Sequence, residues 1–319
     1  VGNAYGHTLG NRLGRDAAIG AGIEIDPEAQ IAVHHCPPHC FKPLPGKVNV
    51  LWCAWEFPEL IPVEREGLGR AHIVFATARF LVDVFEKDTG VPALYAPQGI
   101  RVDAFPYKAR RKPSTKLGRR FRYLWVGAPN DRKGFQHLLA AWQAFHHDPT
   151  CELYLKTTFE HTSMKSARYG NITVDAMPMS DQELCALYHS AHCFVFPSMG
   201  EGFGFTLGEA MATGLPCIYT PATALEELCK PQCGYPLKFT WDRCFEMDDL
   251  RGGKIKLVAA NADAGHLVQL MAFVRKHYGA ALDMGRRAGA RVRAKFTWEQ
   301  AGQALRARLT LVHESMTGA

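Results

Sequence analysis

No run in the 319 residues approaches the roughly 20 consecutive apolar residues that a membrane-spanning helix needs. No secretory leader is visible, and the chain begins on Val1 instead of methionine. Internal repeats and low-complexity tracts are lacking, so neither a solenoid nor a disordered tail is expected. The ten cysteines follow no regular spacing, which argues against a disulfide framework and for reduced, mostly buried thiols. Only His34, His35, Cys36, His39 and Cys40 crowd together like metal ligands. No second pair stands at a distance to close a tetrahedron, so no metal is expected. These lacks, with 47% hydrophobic and 21% charged residues, predict an ordinary globular protein of the cytoplasm.

Acidic residues are missing from one stretch. Lys108, Arg110, Arg111, Lys112, Lys116, Arg119, Arg120 and Arg122 follow one another without an Asp or Glu between them. The remaining 29 bases meet 31 acids, so this segment supplies the whole net charge of +6. Nucleic acid, an anionic membrane surface or an acidic acceptor could each use such a run. No aromatic ladder or nucleic-acid motif accompanies it, so no nucleic-acid partner is expected. A solvated linker between domains is the simpler reading; peripheral contact at the inner face of a membrane is the alternative.

What is present has an α/β rhythm. Strands are expected at 29–34, 48–52, 71–76 and 91–96, with helices over 8–19 and 78–87. A second set of strands follows at 121–126, 151–156, 193–196 and 215–220, with helices near 135–145, 180–190, 206–213 and 300–313. Strands alternating with helices imply parallel sheets.

The densest chemistry lies between the strand at 193–196 and Pro216. Pro197-Ser198 ends the strand, Glu201-Gly202-Phe203-Gly204 forms a flexible turn, and the helix that follows carries Glu209. Glycine lets a ligand approach the main-chain N–H groups. The N-terminus of the helix is a natural seat for an anionic phosphate. Two carboxylates, one before the helix and one about a turn inside it, suit sugar hydroxyls at separate places. Gly202, Gly204 and Gly208 also form a loose dinucleotide pattern. Their spacing is one residue too long for it, and the next strand ends in Thr220 where an acid would bind ribose.

Ser198, Glu201-Gly202-Phe203-Gly204 and Glu209-Ala210-Met211-Ala212-Thr213-Gly214-Leu215-Pro216 resemble the nucleotide-sugar motif of the family-4 retaining glycosyltransferases, with its Glu-x7-Glu spacing. The resemblance implies the GT-B fold, two Rossmann-like α/β domains facing across a cleft. It implies an N-terminal acceptor-side domain over 1–110. A nucleotide-sugar domain would span 111–319, its final helix crossing back. Glu201 would contact the donor sugar and Glu209 the ribose. The N–H groups of Gly202, Phe203, Gly204, Phe205, Thr206 and Leu207 would receive sugar and diphosphate. Gly127 followed by Lys133-Gly134 resembles the phosphate-contacting loop and makes Lys133 the partner of the β-phosphate. Many members have arginine after the first glycine; here Ala128 stands there, and Arg132 is the candidate substitute.

Trp55-Glu56-Phe57-Pro58 resembles a variant at a strand end that faces the donor, placing Glu56 in the cleft. Pro97-Gln98-Gly99-Ile100 and Phe296-Thr297-Trp298-Glu299 resemble the segments flanking the interdomain crossings. Gly2 and Gly6 fall in what resembles the family's opening glycine loop, but the sequence does not contain the strand that precedes it. The implied activity is retaining transfer of a hexosyl group from a UDP- or GDP-type nucleotide sugar to a carbohydrate or lipid-linked acceptor, with no added cofactor. A non-catalytic nucleotide-sugar or carbohydrate binding module and a sugar phosphorylase are the alternatives on the same fold.

Overall fold

The computed structural model describes residues 28–111, 120–157, 166–248 and 252–317. The expected helix over 8–19, Gly2 and Gly6 lie outside them, as do Lys112, Lys116 and Arg119 of the basic run.

The first half builds β1 (Ile31–His35), β2 (Val48–Cys53), helix α1 (Pro62–Leu68), β3 (Ile73–Ala76), helix α2 (Arg79–Thr89) and β4 (Ala93–Tyr95). The strands form one parallel sheet in the order β1-β2-β3-β4. Helix α2 presents Leu81, Val84 and Phe85 to the core and ends on Gly90, whose φ of 72° a side chain would resist.

The second half builds β5 (Phe121–Val126), α3 (Phe135–Trp142), β6 (Cys151–Lys156), β7 (Ala167–Tyr169), β8 (Ile172–Asp175) and α4 (Asp181–Ser190). Next come β9 (Cys193–Phe196), α5 (Phe205–Ala212), β10 (Cys217–Tyr219), α6 (Ala224–Leu228) and β11 (Tyr235–Pro236). Their seven-stranded sheet runs β11-β10-β9-β5-β6-β8-β7, parallel except for the edge strand β7. The chain leaves β5 outward through β6 and β8, then returns to lay β9 on the other side of β5. That reversal opens a crevice beyond the C-terminal ends of β5 and β9, where open α/β sheets bind their ligands.

Two features join the halves. Helices α7 (Ala264–Lys276) and α8 (Tyr278–Lys295) lead into α9 (Trp298–Thr317), which returns to the first sheet. There Val312 joins Val50, Phe75 and Ala96 in a buried cluster, and Arg308 donates to the Tyr95 carbonyl at 3.1 Å. The second feature is an antiparallel hairpin, β12 (Phe239–Asp248) with β13 (Lys254–Ala262). Its Leu257 and Ala259 are buried with Trp55, Phe57 and Leu60 of the first half, and Phe245 stacks on Phe57 at 4.9 Å. Glu59 fixes it: Arg243 donates to both carboxylate oxygens at 3.0 and 3.1 Å, and the Val258 amide donates at 2.9 Å.

The basic run is less solvated than a linker should be. Arg110 reaches into the second half and donates to the carbonyls of Thr213 and Tyr188, at the C-terminal ends of α5 and α4. Arg122 pairs with Glu152 at 2.7 Å and donates to Ser190 Oγ at 2.7 Å. Helix termini leave carbonyls without intrahelical partners, and guanidinium groups satisfy them. Part of the charge that could face a membrane is therefore committed inside the protein. No helix among the described residues is long and apolar enough to cross a membrane.

Glu59→Ala should lower stability by about 1 kcal/mol, since charged hydrogen bonds at a half-buried site are lost. The Val258 amide should also exchange faster with solvent. Lys254→Ala, which breaks only the exposed pair with Glu246, should change neither. Urea titration with residue-resolved hydrogen exchange checks both; equal effects of the two substitutions would mean that the hairpin is not held at Glu59.

Candidate functional site at the crevice

Two loops meet beyond the ends of β5 and β9. The first, 127–134, turns through Asn130, whose side chain caps a short 3-10 helix by accepting from the Lys133 amide at 3.1 Å. It ends on Gly134, with φ 67°, where a Cβ would strike the Pro197 carbonyl. The second, 197–204, is stitched to it: the Met199 amide donates to the Arg132 carbonyl at 2.7 Å and Ser198 Oγ lies 3.1 Å from the same carbonyl. Gly204, with φ 95°, then starts α5.

Lys133, Arg132, Glu201 and Glu56 are brought together there. Lys133 Nζ lies 2.7 Å from Glu201 Oε1, Arg132 lies 3.7 Å from the same oxygen, and Ser198 Oγ donates to it at 2.7 Å. All three contacts converge on Oε1, which leaves Glu201 Oε2 as the acceptor for a further donor. Burial opposes the charge on Glu201, but Lys133 and Arg132 outweigh it and hold its carboxyl below the usual range. Burial in turn pushes the Lys133 ammonium down from its ordinary value, against the pull of Glu201. Arg132 also donates to the Gly200 carbonyl at 2.9 Å and faces Glu56 of the first half at 3.4 Å. Glu56 accepts no local backbone N–H among the described residues.

Gly202 has a different neighbour from the one its flexibility suggests. A Cβ there would lie 2.7 Å from Ala54 Cβ, and one on Gly200 would lie 2.3 Å from the Glu56 carbonyl oxygen. The close approach in this structure is that of the first half's own backbone. Phe203 is buried, Phe205 and Thr206 are half-buried, and Leu207, in the first turn of α5, is fully buried.

Glu209 sits apart from this group, one turn into α5 and buried. Tyr188 donates to its Oε2 at 3.0 Å, and Arg101 and Asp181, paired with each other, act on it electrostatically. Burial dominates and raises the Glu209 carboxyl to about 7. Sequence reasoning missed Tyr188, Thr223 and Glu59, because each acts through tertiary contacts. Ser198 was legible only as the end of a strand. The His34–Cys40 cluster binds inward: His39 pairs with Glu64 at 2.6 Å and His34 meets Asn49 at 2.9 Å. Among the described residues no three His, Cys, Asp or Glu side chains converge on a point that could hold a metal ion.

Residues 120–238, the second sheet and its loops, match the family model described as glycosyl transferases group 1. The chain is 38% identical over 104 residues to the MMP alpha-(1->4)-mannosyltransferase of Mycolicibacterium hassiacum, covering 31% of this chain and 25% of that protein. It is 29% identical over 195 residues to the D-inositol 3-phosphate glycosyltransferase of Pseudarthrobacter chlorophenolicus, covering 54% and 46%. Its matches thus span between a quarter and a half of these curated relatives. The structure of Anabaena HepE in complex with UDP-glucose superposes with a TM-score of 0.61 at 13% identity, over 83% of this chain and 72% of that one. The fold is GT-B. In GT-B terms, the Lys133–Glu201 group lies on the second domain where it faces the first, and Glu56 approaches from the opposite side.

The raised Glu209 carboxyl carries a pH signature. Below about 4.3, the ordinary glutamate value, folded and unfolded chains both hold the proton. Between that value and about 7, only the folded chain holds it, so stability falls as pH rises. Above that window both forms are ionised and the loss is complete, at roughly 3 kcal/mol. Glu209→Gln should abolish this slope and gain stability over the wild type between pH 5 and 8. Urea midpoints for both proteins at the two pH values decide it; a constant difference would place the ionisation elsewhere.

Proposed function

We propose that the protein is a retaining glycosyltransferase that moves a hexosyl group from a UDP- or GDP-type nucleotide sugar to a hydroxyl of a carbohydrate or lipid-linked acceptor. The observation that carries this reading is the convergence of Lys133 and Ser198 on one oxygen of Glu201 at a topological switch point, with Glu209 buried one turn along the adjoining helix. The unit over 1–110 is taken as the acceptor side and 111–319 as the donor side.

In this reading Glu201 Oε2 accepts a hydroxyl of the donor sugar and Glu209 accepts the ribose. The diphosphate lies at the N-terminus of α5 with Lys133 and Arg132. Lys133 has three N–H donors and spends one on Glu201, so two remain for a phosphate oxygen. The bond between the anomeric carbon and the β-phosphate oxygen breaks while the acceptor oxygen bonds to that carbon on the same face. The departing phosphate takes the acceptor proton. The protein's part is to align the reactants and to stabilise charge growing on the diphosphate, which fixed cations and a helix N-terminus supply without added cofactor. Glu56 meets the sugar or acceptor from the first domain, over Trp55.

Glu209→Ala should weaken binding of the free nucleoside diphosphate by about 1.5–3 kcal/mol. Glu201→Ala should leave that affinity unchanged and impair the intact nucleotide sugar. Calorimetry with both ligands separates the roles, and equal losses for both variants would contradict the assignment. A radiolabelled panel including UDP-glucose and GDP-mannose then tests the reaction. Binding without cleavage or transfer would mean a binding module, and cleavage that depends on inorganic phosphate would mean a phosphorylase.

A further inference from the structure

We propose that Thr223 is a positioning residue that fixes Glu201 for its donor-sugar contact. The inference rests on the reading of Glu201 given above.

Thr223 follows β10 and immediately precedes α6. Its backbone stands at φ 52° and ψ −135°, and it is the one non-glycine residue with positive φ among those described. A β-branched side chain is poorly suited to that region, which glycine occupies freely. Among the described residues eight glycines adopt positive φ, so the other such turns there are made with glycine. A strained residue persists when its surroundings compensate, and such residues gather at functional sites.

The compensation is visible. The Thr223 hydroxyl accepts a hydrogen bond from the Glu201 amide at 2.9 Å, and the next amide, Ala224, donates to the Glu201 carbonyl at 3.2 Å. Both main-chain groups of Glu201 are thus held from one place. Thr223 is 9% exposed and Glu201 is 5% exposed, so neither amide nor hydroxyl has ready access to solvent as a substitute. On either side of Glu201, Gly200 and Gly202 lie against first-domain backbone. The peptide is therefore pinned on the second-domain side by Thr223 and confined on the other by Glu56 and Ala54. With the backbone fixed, the side chain can place Oε1 on Ser198 and Lys133 and keep Oε2 for the ligand. Thr223 touches no reacting atom in this scheme; it acts through Glu201.

Three substitutions separate the hydroxyl from the strain. Thr223→Val keeps the shape and the strain and removes the hydroxyl. Thr223→Gly removes both, and Thr223→Ser keeps the hydroxyl. The Val and Gly variants should exchange the Glu201 amide about tenfold faster without any ligand, and their kcat for sugar transfer should fall about tenfold. These are changes of the size one buried hydrogen bond supports. Their affinity for the free nucleoside diphosphate should stay within about twofold, because Glu209 and α5 are untouched. The Ser variant should restore exchange and kcat to near the wild-type values.

Full turnover in the Gly variant would overturn the proposal, as would a Ser variant as impaired as Val. So would a loss of nucleoside diphosphate affinity in step with kcat, which would give Thr223 a role in the nucleotide site as a whole. A wild-type protein that turns over no donor would sink the functional reading instead. The exchange measurement needs no substrate and still reports whether the clamp on Glu201 exists.

Discussion

The molecule is organised around how closely the loop after β9 lies against the loop after β2. Gly200 and Gly202 meet Glu56 and Ala54 at distances that leave no room for a side chain. Between them stands Glu201, the one residue of the three with a functional group, and its carboxylate turns toward the second domain. The two domains are therefore in contact through backbone at the centre of the site, and any movement between them moves Glu201. Thr77 of the first domain adds to this by donating to the Gly202 carbonyl at 2.8 Å. The hairpin β12–β13 and helix α9 hold the contact from two other sides, with Glu59 and Val312 as anchors.

The charge distribution follows a second logic. Sequence composition suggests a basic protein with a detached cationic linker, yet three of the guanidinium groups, those of Arg110, Arg291 and Arg293, terminate helices. Arg293 donates to the Ala212 carbonyl at 2.6 Å, at the end of α5, and Arg291 donates to Glu227 and Leu228 at the end of α6. With Arg110 on Thr213, both helices that flank Glu201 and Glu209 are capped at their C-terminal ends by cations from elsewhere in the chain. Cations at that end also complement the helix dipole, so the two short helices are stabilised where they would otherwise fray. A count of bases could not distinguish these buried roles from a surface patch.

The parallel strands were the most legible part. Phe121–Val126, Cys151–Lys156 and Cys193–Phe196 are short apolar runs with turn residues at their ends, and each forms the strand expected of it. The hairpin was not legible. Strand β12 carries Asp242, Arg243, Glu246 and Asp248 among its apolar positions and is only half-buried, so no period-two pattern with one dry face stands out. Its apolar residues, Phe245 above all, find their partners in the first domain nearly 200 positions earlier. Local sequence has no record of such a contact. Glu201, Glu209 and Lys133 were singled out in the sequence by glycine-rich segments that resemble a known motif, whereas the 2.7 Å contact between Lys133 and Glu201 joins two loops far apart in the chain. Thr223 was not singled out, since a threonine before a short helix looks like an ordinary N-cap, and its positive φ has no counterpart in composition.

One consequence of the Lys133–Glu201 pair concerns readiness rather than stability. Removing two charges from water costs more than a single contact between them returns, unless further hydrogen bonds satisfy them. Here Ser198 supplies a hydrogen bond to Glu201 Oε1 at 2.7 Å and Arg132 adds a cation 3.7 Å from the same oxygen, and the pair lies at the crevice. Burial alone would drive the proton from Lys133 and return one to Glu201. Lys133 and Arg132 outweigh that burial at Glu201 and hold its carboxyl below the usual range, whereas at Lys133 burial prevails over the pull of Glu201 and lowers the ammonium. The site therefore sets an amine and a carboxylate 2.7 Å apart before anything binds. A ligand that carries anionic oxygens at one end and hydroxyl donors at the other meets both without requiring the protein to reorient a dipole. Preorganised charge of this kind acts on the developing transition state at no further cost of reorganisation. The same geometry explains why the pair is placed at the junction of the two loops and not along either one: only there do β5 and β9 deliver a cation and an anion to the same point.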